Sequence, residues 1–159
     1  MSDSAAPDST ASHPAGSVDH SSLPRVRAII DSIEGSTITL ALAHTDYRLS
    51  MQLTVDADRI NVPVGKRIKG VVEADGMRFH AASGGGRFIE PVYGEPRIIA
   101  GTVLHVAPDA GQVLVDAAMP IWVRPIEETQ DWSVFADRVL VTGYLKSGPT
   151  FTPDPSFVD

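Results

Sequence analysis

Apolar and polar residues alternate along much of this chain. Tyr47, Leu49, Met51, Leu53 and Val55 are separated by Arg48, Ser50, Gln52 and Thr54, the pattern of a strand with one buried face. Val26–Ile33 and Ser36–Leu42 are rich in β-branched residues and are split by Glu34-Gly35, which reads as a hairpin. Ile68–Glu73 and Met77–Ala81 are split by Asp75-Gly76, and this pair reads as a second hairpin. Only Asp56–Gly65 and Glu127–Ala136 leave gaps of helical size, and Pro63 limits the first to a turn or two. In the second gap, Glu127 and Glu128 suit a helix N-terminus.

The strand pattern occurs twice. VRAIIDSI (26–33) matches IAGTVLHV (99–106) at an offset of 73, and RIKGVVEADG (67–76) matches LVTGYLKSGP (140–149) at the same offset. Between them Ile38-Thr39-Leu40 fits Val113-Leu114-Val115 at an offset of 75. Length changes confined to turns are what a structural repeat tolerates. The expected organisation is a tail (1–24), a first β unit (25–82), a Gly-rich then apolar linker (83–96), a second β unit (97–152) and a C-terminal tail (153–159). Residues 1–24 are Ser, Asp, Ala, Pro and His with little to bury, and disorder is expected there. In the linker, Ser83-Gly84-Gly85-Gly86-Arg87 supplies flexibility, while Phe88, Ile89, Val92 and Tyr93 are expected to pack over the units.

Five short strands per copy, with one insertion between the third and fourth, suit a small barrel. The strings GKRIKGVVEADG (65–76) and DRVLVTGYLKSG (137–148) each place a glycine mid-strand before a tight turn. This order resembles the OB fold. The expected fold class is therefore all-β, with two tandem five-stranded OB-like barrels from an internal duplication. SH3-like barrels or a single sandwich also fit the pattern. The OB resemblance implies ligand contact through the second and third strands and nearby loops, with oligonucleotides, oligosaccharides or peptides as typical ligands.

Composition narrows the chemistry. The chain has 159 residues, a formal charge of -7 and no cysteine, so it has neither a thiol nucleophile nor a Cys-type zinc site. Its charge is uneven: residues 25–97 carry ten basic and nine acidic side chains, and residues 98–159 carry three and eight. No G-x-S-x-G elbow is present, and Asp116, Glu127, Glu128 and Asp131 read as an acidic surface rather than a catalytic pair. His44, Asp46 and His80 are the right ligand types for zinc, but nothing in their spacing demands a site. No catalytic activity, cofactor or metal is expected. No apolar run approaches the roughly 20 residues of a membrane span. The first ten residues lack the basic and apolar regions of a secretory signal, so a cytoplasmic location is expected.

Binding residues are easier to nominate. Lys66, Arg67 and Lys69 form the densest basic cluster. In Ile121-Trp122-Val123-Arg124, alternation puts Trp122 and Arg124 on one face, where an exposed indole beside a guanidinium would be a stacking platform. A one-residue slip would instead bury Trp122. Trp132, with Val134 and Phe135, reads as a plug at one barrel end. These features point to a non-catalytic binding or adaptor protein that engages a protein partner. A single-stranded nucleic-acid binder using Lys66, Arg67, Lys69, Trp122 and Arg124 is the alternative. A carbohydrate or metabolite binder resting on Trp122 is a third reading.

Overall fold

The computed structural model describes residues 22–159, so the tail expected over 1–24 lies almost wholly outside the described residues. The chain is all-β. Its strands are β1 (Val26–Glu34), β2 (Thr37–Ala41), β3 (Arg48–Leu53), β4 (Arg67–Ala81), β5 (Phe88–Glu90), β6 (Tyr93–Gly94), β7 (Ile98–Ala107), β8 (Gln112–Asp116), β9 (Pro120–Pro125), β10 (Leu140–Leu145) and β11 (Thr150–Pro153). All belong to one mixed 11-stranded sheet. The two tandem OB-like barrels expected from the sequence are not what forms: the strands make one mixed sheet.

The physical reason lies at Asp75-Gly76. This pair does not turn, and β4 runs through it for 15 residues. A side chain at Gly76 would meet Val123 Cγ1 and the Phe79 ring, both within 2.6 Å of the position of its Cβ. Gly76 is therefore a place of close packing in an extended strand, which a sequence cannot distinguish from a turn glycine. One end of β4 pairs with β1 through Val26↔Gly70 and Ala28↔Ile68. The other end pairs with β10 through Thr142↔His80 and Tyr144↔Met77.

The final strand completes the exchange. β11 follows β10 through a turn at Gly148 (φ 90°), yet it pairs with β4 (Phe151↔Val72) and, in parallel, with β3 (Phe151↔Leu53). The pairings around the first half run β1–β2–β3–β11–β4–β1. Around the second half they run β7–β8–β9–β4–β10–β7, with β9 parallel to β4. Each half thus includes a strand segment contributed by the other half of the sequence.

The two halves repeat one register. Val26↔Gly70 and Ala28↔Ile68 in the first correspond to Ile99↔Gly143 and Gly101↔Val141 in the second. The same irregularity recurs between the first two strands of each half: Ile30↔Leu40 then Ser32↔Thr39, and Val103↔Val115 then His105↔Leu114. Inward residues of both halves form one hydrophobic cluster that includes Ile30, Leu40, Met51 and Phe151, and also Val103, Val115, Val123 and Phe79.

Neither helix-sized gap holds an α-helix. Asp56–Gly65 contributes one 3-10 turn, Ala57–Arg59, and Glu127–Ala136 another, Trp132–Val134. Phe135 is the buried member of that insertion, at 6% exposure, and meets Phe79 and Trp132 edge-on or tilted. The linker ties both halves together: β5 pairs with β7, and β6 pairs with β3. Ile89 is buried and donates its N–H to Tyr47 Oη at 3.0 Å, whereas Val92 and Tyr93 remain exposed. Residues 153–159 pack against the first half, through a bridge between Ile60 and Val158 and a hydrogen bond from Asn61 N to Phe157 O.

Asp131 caps the Trp132–Val134 turn by accepting hydrogen bonds from Ser133 N (2.9 Å) and Ser133 Oγ (2.7 Å). The side-chain bond first, then the backbone bond, holds the Asp131 pKa below the ordinary carboxylate value. A depressed folded pKa contributes stability above the unfolded pKa, about 3.9. That contribution disappears as pH falls through the lowered folded value. The Trp132 indole signal in proton NMR is therefore expected to move in acid below about pH 4. An Asp131→Ala variant that kept the same acid-dependent movement would show that the cap is not its source.

Candidate functional site

The outer face of β1 and the start of β4 gather several basic side chains. Alternation sends Val26, Ala28 and Ile30 inward, and so leaves Arg25, Arg27 and Ile29 on the other face. On β4, Ile68 and Gly70 face in, and Arg67 and Lys69 face out. The register Arg27↔Lys69 and Ile29↔Arg67 sets these side chains beside one another. Together they line a groove of about 360 Å³ whose apolar wall is Ile29, Ala43 and Phe157.

One acid tempers this charge. Asp154, 7% exposed, accepts from Arg25 Nη1 at 2.8 Å and lies 3.6 Å from Lys69 Nζ. It holds the C-terminal segment against β1 and β4, and charge-assisted bonds of this kind contribute about 1.5–3 kcal/mol when well sheltered. Arg27 and Arg67 are exposed and have no ion pair among the described residues. The groove therefore keeps a positive rim over an apolar wall. Such a surface attracts an extended anionic ligand that also brings apolar groups.

The residues nominated from sequence do not form one site. Arg67 and Lys69 line the groove. Lys66 is exposed just before β4, and its parity with Ile68 aims it away from the face that Arg67 and Lys69 share. Arg124 pairs in register with Asp75, six residues beyond Lys69 along β4, or roughly 20 Å away at strand rise. It makes a loose surface contact with Asp75, Nε to Oδ1 at 4.0 Å, of a kind worth about 0–1 kcal/mol.

Trp122 requires a correction. Ile121 and Val123 do face inward, as alternation predicts, and Trp122 lies on the opposite face. That face is not open: Trp122 is only 2% exposed. It stands in register between Leu114 and Glu73, and the His105 ring meets its edge with centroids 6.0 Å apart. Leu114 and Gln112 are buried too, with Gln112 Nε2 donating to Glu73 Oε2 at 2.9 Å. Neighbours set beside the indole by the β8 and β4 registers crowd this face, and strand parity cannot reveal a pairing between distant segments. No stacking platform exists at Trp122.

Sequence reading missed Arg25 and Arg27. Their alternation with Val26 and Ala28 was visible, but only the β1–β4 register brings them to Lys69. His44 sits in the turn after β2 and His80 on β4 opposite Thr142. Among the described residues no group of three or more His, Cys, Asp or Glu side chains gathers as a metal site. No described helix is long and apolar enough to cross a membrane. Comparison with protein-family models, with curated proteins and with solved structures yields no match for this chain.

Proposed function

We propose that this is a non-catalytic binding protein of the cytoplasm, an adaptor whose groove on the outer face of β1 and β4 takes an acidic, apolar-bearing segment of a protein partner. The observation that carries the reading is the combination of Arg27, Arg67 and Lys69 with a wall of Ile29, Ala43 and Phe157. Charge attracts and orients the segment, and apolar burial retains it. The scaffold, in this reading, is a duplicated OB-type unit in which each copy lends its last strand to the other. Support comes from the repeated register at an offset of 73 and from the parallel third-strand pairing in both halves.

Single-stranded nucleic acid is the second reading, favoured by the same positive rim. It is the weaker of the two because Trp122 offers no face for base stacking. The carbohydrate reading rested on an exposed Trp122 and is withdrawn with it.

The test uses a fluorescent peptide of alternating Glu and Leu, a poly-Glu peptide and oligo-dT, each titrated by anisotropy. The Glu/Leu peptide is expected to bind best, with about tenfold loss in an Arg27→Ala/Arg67→Ala variant. Poly-Glu binding equally well would remove the role of the apolar wall. Preferential oligo-dT binding, with affinity falling by about 0.7 log units per log unit of salt for each phosphate contacted, would establish the nucleic-acid reading instead.

A further inference from the structure

The second half carries a separate feature at the far end of β4. Tyr144 lies on the outer face of β10, in register with Met77 of β4 and Ile98 of β7. Tyr144 is 46% exposed, unlike the buried tryptophan that the sequence suggested as a platform. Met77, Arg78, Arg97, Ile98, Tyr144 and Leu145 enclose a depression of about 360 Å³. Neither Arg78 nor Arg97 is in an ion pair among the described residues.

Arg78 is also held in an unfavourable backbone conformation. Its φ is 56°, in the left-handed region. The other non-glycine residues with positive φ, His44 and Arg138, lie in turns, whereas Arg78 lies within a strand. Side chains of the 127–130 loop clamp this irregularity. Glu127 Oε1 accepts from Arg78 N at 2.8 Å, Gln130 Oε1 accepts from Phe79 N at 3.0 Å, and Gln130 Nε2 donates back to Phe79 O at 2.8 Å. Those three bonds satisfy backbone groups that the irregular strand would otherwise leave unpaired. Strain that the surroundings hold in place within a strand, next to an open cavity, is characteristic of ligand sites.

We propose that this depression binds a small aromatic anion, a flat ring bearing a carboxylate or phosphate. The Tyr144 ring and the Met77 thioether offer a flat, polarisable surface to the ring. Arg78 and Arg97 offer planar guanidinium forks to the anion. The volume falls at the small end of the range for ligand sites and accommodates one ring with its anionic group. This site shares no residue with the β1–β4 groove, so either can fail without the other.

The test is a titration of the full chain with phenyl phosphate, followed by NMR signals of the Tyr144 ring and the Arg78 and Arg97 side chains. Inorganic phosphate, cyclohexyl phosphate and benzoate serve as comparison probes. Saturable binding of phenyl phosphate and benzoate at these residues is expected, at least about tenfold tighter than inorganic or cyclohexyl phosphate. Arg78→Gly suits the positive φ and keeps the fold, and Tyr144→Thr suits an exposed strand position. Each should weaken binding about tenfold with the thermal midpoint unchanged or raised. The proposal is overturned if no saturable shift appears at Tyr144, if inorganic phosphate binds as well, or if Arg78→Gly binds normally. Binding of single-stranded oligonucleotide here without binding of phenyl phosphate would overturn it too.

Discussion

Replacing Phe151 by alanine is expected to loosen the half of the molecule that lies farther from it in sequence. Phe151 is fully buried, pairs with Val72 and Leu53, and sets its ring over Gly70, where a Cβ would strike Thr152 O and the ring itself. Truncating a buried phenylalanine costs about 3–5 kcal/mol, a large share of the 5–15 kcal/mol that stabilises a typical domain, about the scale relevant here. Hydrogen exchange locates the damage. In Phe151→Ala, protection should fall first in β1, β2, β3 and the Arg67–Glu73 end of β4. Phe79 makes the reciprocal case: it is 4% exposed, and its ring fills the space over Gly143. Phe79→Ala should therefore lower protection in β7, β8 and β10. If each substitution acted instead on its own half of the sequence, the exchange of strands would be refuted.

A chain divided between Gly86 and Arg87 should show the same dependence more severely. Residues 22–86 lack β11, so β3 and β4 lose the strand that joins them. Residues 87–159 lack β4, which lies between β9 and β10. Each fragment would expose unpaired strand edges and an open core, conditions for unfolding or aggregation. Circular dichroism of either fragment alone is expected to show little ordered sheet, and an equimolar mixture should recover the spectrum of the intact chain. A fragment that folds alone as a monomer by size exclusion would show that the borrowed strand is dispensable.

How much of this was legible in the sequence depends on the range of the interaction. Local patterning located β1, β2 and β3, because alternation and the Glu34-Gly35 turn (Gly35 φ 60°) are properties of neighbouring residues. The pairings Val26↔Gly70 and Ile99↔Gly143 join segments some forty residues apart, and local patterning does not specify them. Partner choice was not legible. Asp75-Gly76 carries the residues of a turn, and only the ring of Phe79 and the side chain of Val123 make an extended glycine necessary there. The same limit applied to the candidate sites. Arg67 and Lys69 were found as a cluster in sequence, whereas Arg25 and Arg27 reach them through a pairing some forty residues distant. Tyr144, Arg78 and Arg97 come from three separate segments and leave no motif at all.

The shared strand also decides where this chain can change length. An extra residue among Gly84, Gly85 and Gly86 lies in a connection with open space around it, and lengthening a loop costs little. An extra residue between Glu73 and Ala74 would reverse the facing of everything beyond it on β4. Phe79 would then leave the core of the second half, while Gly70 still required Phe151 in the first. Insertions in descendants of this sequence should therefore accumulate at the glycine connection and be purged from β4, so that the distance from Gly70 to Phe79 stays fixed while the distance from Phe79 to Ile99 drifts.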